Sequence, residues 1–503
     1  MTVRGELGGG SPELAGLAGT VLQPGFVGAE VPDWLRRRLG EGLGGVALYS
    51  RNLVNSAQIR ALTAALRAEN PDVVIATDEE AGDVTRLEAL TGSSRPGNLA
   101  LGAVDDPELT ERVAREVGRD MAFAGITLNY APVVDVNSDL DNPVVGTRAF
   151  GADPLLVARH ARAWITGLQS AGVAACAKHF PGHGATATDS HTGLPTVSSS
   201  AEELAVTTLP PYRAAIESGV QAVMTGHLLV PAYDPDSPAT MSSRILVGLL
   251  RRELGFDGLI VTDGVEMPSV AERYGVTGAA VRALAAGADA ICVGGERKGA
   301  GVVGFIRNAI MAAVIDGTLP EERLAEAASR VRRLAAWSAE RRRAASAVAQ
   351  TPESAGLAAA RRAVRVRGDG LPLSAAPQVI EFVSETNIAI DRATPWGVAA
   401  PLAELLPGTT AMRLGAEDPL PPQTDSRPLV IVVRDAHRHA WLSARLDALL
   451  SRRPDAIVVE MGLPGPETPG GTHITTYGAT TASGRAAAEL LAGHSSTART
   501  SSP

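Results

Sequence analysis

Chemistry-bearing side chains concentrate in a few short segments of the chain. These are KHFPGHG at 178–184, with Asp189-Ser-His191 close behind it, and TDGVEM at 262–267. Three more are TDEE at 77–80, the stretch from Asp141 to Arg148, and Thr225-Gly-His227. Carboxylates and imidazoles supply nucleophiles and proton transfer near neutral pH. Asp, Arg and Lys hold hydroxyl-rich ligands through charge-assisted hydrogen bonds. Each segment also has a plainer reading. Asp263 could cap a following helix, Asp189 and His191 could be a polar pair on a surface loop, and Asp78 and Arg148 could form a buried ion pair. His179, His183, Asp189, His191 and His227 are of the types that zinc prefers. Pro181, Gly182 and Gly184 oppose the helix that an i, i+4 pair of His179 and His183 would need.

Such groups act only if a scaffold brings them together. Eight short apolar runs, at 20–23, 46–49, 73–77, 127–130, 174–178, 222–225, 259–262 and 290–293, alternate with longer amphipathic segments such as 55–69, 106–123 and 201–218. The runs do not alternate polar with apolar, the signature of parallel strands buried on both faces. Eight strand–helix repeats predict an α/β fold, a (β/α)8 TIM-type barrel. An open doubly wound sheet is the competing arrangement, and QPGF at 23–26 is not its Gly-rich fingerprint. In a barrel these ionisable residues fall at the carboxyl ends of five strands and in the loops that follow, where the strand–helix loops meet. The domain division read from the sequence is a catalytic barrel over 15–343 with helices at 321–343, a linker over 344–375, a smaller sandwich-like α/β domain over 376–492 and a disordered tail over 493–503. Strands are expected in that second domain at 379–383, 429–433 and 456–460, and helices at 399–405, 440–451 and 484–491.

The chain has 503 residues, 45% hydrophobic and 20% charged, with a net charge of −9. That composition describes a globular protein of more than one domain. The acidic balance gives no footprint for nucleic acid or an anionic membrane, and no apolar run is long enough to span a bilayer. The two cysteines, Cys176 and Cys292, each end an apolar run and read as small buried hydrophobes in a reducing compartment. The N-terminal stretch has no apolar signal-peptide core, so a cytoplasmic location is expected. Lysine occurs twice, at 178 and 298, against 44 arginines, which suggests that position 178 needs a compact ammonium.

The motifs GGVALYSRN at 44–52, DEEAGDVTR at 78–86, DNPVVGTRAF at 141–150, KHFPGHGATATDSH at 178–191 and VTDGVEM at 261–267 occur in one order. In that order they resemble glycoside hydrolase family 3, and within it the branch of NagZ-like β-N-acetylglucosaminidases. The resemblance covers about 15–340. The second domain is similar, without a distinct motif, to the α/β sandwich that follows the barrel in many members. The resemblance implies that Asp263 is a nucleophile forming a covalent glycosyl-enzyme. It implies that His191 is the general acid and base, oriented by Asp189 on a mobile loop, and that Asp78, Arg86, Arg148, Lys178 and His179 bind the sugar. It implies a retaining enzyme that removes terminal β-linked N-acetylglucosamine from muropeptide fragments or chitooligosaccharides, with no metal or organic cofactor. The alternatives are a phosphorylase on the same fold and, further off, a metal-dependent hydrolase. Two departures stand out: Ala81-Gly82-Asp83 replaces a Gly-Gly-Arg run, which puts a reversed charge near the expected sugar site, and Gly264 follows the nucleophile where Asp or Ala is more usual.

Overall fold

The computed structural model describes residues 11–186, 193–294, 299–345, 354–422, 426–467, 469–494 and 499–500. Eight short strands occupy the first part of the chain. They are β1 (Leu22–Pro24), β2 (Gly45–Leu48), β3 (Val74–Thr77), β4 (Leu128–Asn129), β5 (Ala174–Phe180), β6 (Ala222–Thr225), β7 (Leu259–Thr262) and β8 (Ile291–Val293). β2 to β7 form one parallel sheet in sequence order, and β1 pairs in parallel with β8. A parallel bridge between Val261 and Ala290 joins β7 to β8. The result is a mixed α/β fold built on a curled parallel sheet.

The curl sorts the side chains by strand alternation. Small inward residues, among them Ala47, Ala76, Ala174, Cys176, Ala222 and Cys292, make one core cluster. Outward residues such as Val46, Ile75, Val223 and Ile260 join the surrounding helices in a second, larger one. Both cysteines are free and buried in the inner cluster. The helices carry clear start and stop signals. Asn55 and Asp106 cap Ser56–Glu69 and Pro107–Ala124 through their side chains, and Gly125 ends the latter in the left-handed conformation. The segment at 201–218 breaks at its prolines into Ala201–Thr207 and Pro210–Glu217. The stretch at 321–343, which reads as two short helices, is one helix, Glu321–Ala345; it holds no proline or glycine to interrupt it. Its Val331, Leu334 and Ala335 join the inner cluster of the curl.

The later part of the chain builds a second sheet from β9 (Arg365–Arg367), β10 (Gln378–Phe382), β11 (Thr410–Leu414), β12 (Leu429–Val433), β13 (Ile457–Glu460), β14 (Thr472–Thr475) and β15 (Arg499–Thr500). Its order is β11-β10-β12-β13-β14-β9-β15, all parallel except the β14–β9 pair. Its two apolar clusters lie on opposite faces of the strands. The stretch read as a linker holds the helix Ala355–Ala363 and β9. That helix buries Ala359, Ala360 and Ala363, packing against the helices Asn98–Val104 and Thr481–Leu491. A run of alanines has too little apolar bulk to stand out as a packed helix, which is why it reads as connecting chain. Arg499 and Thr500, inside the expected tail, pair in parallel with β9.

Candidate active site

The carboxyl end of β3 leads into Asp78, Glu79 and Glu80, and the loop that follows turns back on itself around Glu79. The Glu79 carboxylate accepts from Arg86 N and Leu87 N, both at 2.8 Å, and from Thr85 Oγ1 at 3.0 Å. Its own amide donates to Asn129 Oδ1 at the end of β4. Burial nonetheless holds its pKa above the usual carboxylate range. Glu79 therefore shapes the loop, and its two neighbours face the space above the curl.

Those neighbours meet the cations. Glu80 takes Arg148 in a two-pronged pair, Nε at 2.9 Å and Nη2 at 2.8 Å. Lys178 Nζ sits 2.7 Å from Glu80 Oε1 and donates to Asp78 Oδ1 at 2.7 Å. The partner of Arg148 is thus Glu80 and not Asp78, a correction to the ion-pair alternative read from the sequence. The Glu80, Lys178 and Arg148 side chains are almost fully buried, whereas that of Asp78 keeps 20% of its surface exposed. Burial alone would raise the Glu80 carboxyl; Arg148 and Lys178 override it and hold it far below its ordinary value. Burial would lower Lys178, and Asp78 with Glu80 raise it instead, so the ammonium stays charged.

A second network sets the histidines. Buried Asp135 lies 2.8 Å from His179 Nδ1 and accepts His183 N at 2.7 Å. This fixes which edge of the His179 ring is left to face outward. His183 Nδ1 bonds to Thr186 Oγ1 at 2.6 Å, and burial, with His179 adding to it, pushes the ring down to about 4. On β14 of the second sheet, burial likewise pushes His473 down to about 4. Both rings are neutral when folded, whereas an unfolded histidine takes a proton below about pH 6.5. The unfolded chain then binds more protons between pH 6.5 and 4, so stability falls as pH falls through that window. Each ring contributes roughly 3 kcal/mol by pH 4. His473→Gln lies away from the cavity and should flatten the acid side of a denaturation-versus-pH curve. An unchanged slope would refute the assignment.

Asp263 follows β7. Its amide donates to Thr225 O at 3.0 Å, and its Oδ1 accepts Gly264 N at 2.8 Å. His227 underpins this turn, with Nε2 2.9 Å from Gly264 O and Nδ1 2.9 Å from Thr240 Oγ1. The next helix, Pro268–Ala286, begins five residues later with Met267 at its cap, so Asp263 is not a helix cap. Glu266 in the same loop accepts Gly294 N beyond β8.

Asp78, Arg86, Arg148, Lys178, His179 and Asp263 all line one cavity of about 380 Å³. Tyr49, Glu80 and Glu266 line it too, and so do Ile388 and Ala389 from the second sheet's side of the molecule. Asp189 and His191 lie outside the described residues. Among the described residues, no three His, Cys, Asp or Glu side chains are grouped to hold a metal ion, and no helix is long and apolar enough to cross a membrane. Glu80 and Asp135 stand at strand ends in the sequence reading but receive no role there. Their signal was position alone: Glu80 shares a strand end with Asp78, and Asp135 lies just past β4 in an otherwise apolar stretch.

Asp83 also proves different from expectation. It does not face the sugar-sized cavity. Its Oδ2 accepts Arg434 Nη2 at 2.8 Å and Thr147 Oγ1 at 2.7 Å, and its Oδ1 accepts Ala479 N at 2.8 Å. The reversed charge is neutralised by an arginine from the second unit.

Residues 29–334 match the glycosyl hydrolase family 3 N-terminal domain. A beta-hexosaminidase of Nitrosomonas eutropha is 36% identical over 259 residues, which are 50% of this chain and 73% of that protein. Beta-hexosaminidase A of Pseudoalteromonas piscicida is 35% identical over 268 residues, which are 49% of this chain but only 45% of that protein. Among solved structures, a glycoside hydrolase family 3 beta-N-acetylglucosaminidase from Paenibacillus sp. str. FPU-7 superposes with a TM-score of 0.84 at 33% identity. That superposition covers 96% of this chain and 97% of the other.

Proposed function

Because this chain belongs to glycoside hydrolase family 3, we propose that it is a retaining β-N-acetylglucosaminidase acting at non-reducing ends. The observation that carries the reading is the 380 Å³ cavity, which has Asp263 in its wall together with all five sugar-binding candidates. A space of that size takes one pyranose and the start of a leaving group. Asp78 and Lys178 offer the ring hydroxyls an acceptor and a donor, Arg148 adds a fixed donor, and His179 adds the outward nitrogen of a ring held by Asp135.

In this reading Asp263 attacks the anomeric carbon as the glycosidic bond breaks, and His191 protonates the departing oxygen. His191 then takes a proton from water, which attacks the same carbon and releases Asp263. Two inversions give net retention. Asp189 holds the imidazole and favours its charged form. Closure of the curl into a full (β/α)8 barrel, and the second sheet as a C-terminal domain, belong to the same reading. Muropeptide fragments or chitooligosaccharides in the cytoplasm are its substrates, a location supported by two buried, unpaired thiols.

The test is a panel of nitrophenyl β-glycosides differing at the 2-position, assayed with and without phosphate. The N-acetylglucosaminide should exceed the glucoside in kcat/KM by at least about tenfold, and the product should be free sugar in both conditions. A preference for the glucoside, or sugar 1-phosphate as the main product, would overturn the assignment. In the same panel His191→Ala should slow poor leaving groups by about a hundredfold and dinitrophenolate far less. Equal slowing would remove His191 from the role of acid.

A further inference from the structure

The five parallel strands of the second sheet run in the order β11-β10-β12-β13-β14, so the winding reverses between β10 and β12. On such sheets the crevice outside the carboxyl ends at the reversal is where ligands dock. Arg434, directly after β12, lies buried in that crevice. The Asp83 carboxylate of the first unit enters the wall of this crevice, a cavity of about 230 Å³, beside Arg434 and Ala479. Two of its three partners, Arg434 Nη2 and Ala479 N, come from the second unit. The two side chains are 2% and 4% exposed, so the pair is well shielded from water.

Ser384 Oγ, at the start of the loop leaving β10, donates to Arg434 O at 3.2 Å, which ties that loop to the Asp83 pair. Arg86 Nη2 donates to Ala389 O at 2.9 Å. Asn387 Nδ2 donates to Val144 O at 3.3 Å, and the same carbonyl receives Arg148 Nη1 at 3.1 Å. Arg86 and Arg148, two of the arginines in the cavity wall, are thus wired to this loop, Arg148 through the shared Val144 carbonyl. Ile388 projects from it at the cavity rim, 67% exposed, whereas the Lys178 and Glu80 side chains lie almost fully buried. An exo-acting site holds the terminal ring at its buried end, so whatever leaves must pass the rim.

We propose that Asp83 is a positioning residue that latches the 383–391 loop over the cavity, and that Ile388 is thereby set to select the leaving group. The leaving group it favours has an apolar face, such as the C–H face of a second pyranose. The proposal rests on the N-acetylglucosaminidase reading and deepens it.

The experiment compares N-acetyl-β-glucosaminyl fluoride, whose leaving group is one atom, with the β-1,4-linked N-acetylglucosamine disaccharide. For Ile388→Ala the ratio of kcat/KM, disaccharide over fluoride, should fall about fivefold. Asp83→Asn should lower the same ratio through a higher KM for the disaccharide, with kcat kept within about twofold. A ratio unchanged in both variants overturns the proposal, and so does equal slowing on both substrates, because the loop would then act on the retained sugar. Should Asp83→Asn fail to fold, the exposed Ile388→Ala still decides the matter. Wild-type protein that turns over neither substrate overturns the functional reading, and this inference with it.

Discussion

Replacing Asp263 with alanine is expected to lower kcat for 4-nitrophenyl N-acetyl-β-glucosaminide by about four orders of magnitude, roughly 5 kcal/mol of transition-state stabilisation. The carboxylate stands at the carboxyl end of β7 in the cavity wall, and its turn is held by Thr225 O and His227. The other carboxylate of the loop, Glu266, is engaged by Gly294 N beyond β8. Adding azide to the alanine variant should restore part of the rate, because a small anion can enter the vacated space and attack from the same face. One displacement in place of two gives a glycosyl azide of α configuration, which proton NMR identifies. A loss of only a few fold, or rescue that yields the β-azide, would show that Asp263 forms no covalent bond with the sugar.

The second large effect is expected at Glu80. Its carboxylate neutralises Arg148 and shares Lys178 with Asp78, with both the carboxylate and the guanidinium almost fully buried. Removing one partner of a buried charged cluster costs more than the cluster contributes, because the remaining charges stay desolvated. Glu80→Gln should destabilise the protein by about 3 kcal/mol in chemical denaturation. It should also lower kcat/KM by about a hundredfold, since Arg148 and Lys178 lose the group that aims them at the substrate. The destabilisation should shrink at low pH. The wild-type carboxylate is held ionised well below its unfolded value, so its contribution is present above about pH 4.5 and is lost as pH falls below that. Wild-type stability and activity in Glu80→Gln would mean that Asp78 alone neutralises the cluster.

Much of this arrangement was legible in the residues. The eight apolar runs fall on β1 to β8 with boundaries shifted by no more than two residues, because each run is a string of buried aliphatic side chains with one reading. Asp78, Arg86, Arg148, Lys178, His179 and Asp263 converge because each lies at the carboxyl end of a strand or in the loop that follows it. β11 and β14 were not legible. TAMRL is an exposed edge strand, and THIT carries two threonines and a histidine, so neither offers a continuous apolar signal. The role of Glu80 was hidden by its neighbours, since three consecutive acids look alike until the backbone decides which one points at Arg148. Asp83 was misread for a different reason. Its partner lies 351 residues away, and no local pattern reports a contact across that distance.

That separation binds the two halves of the gene to one history. An arginine at position 83 would meet Arg434 in a buried space with no room for two positive charges, and an acid at 434 would do the same to Asp83. Neither codon can drift by itself. Lineages that keep both halves should carry substitutions at 83 and 434 as matched exchanges, whereas a lineage that sheds the second half frees position 83 to vary.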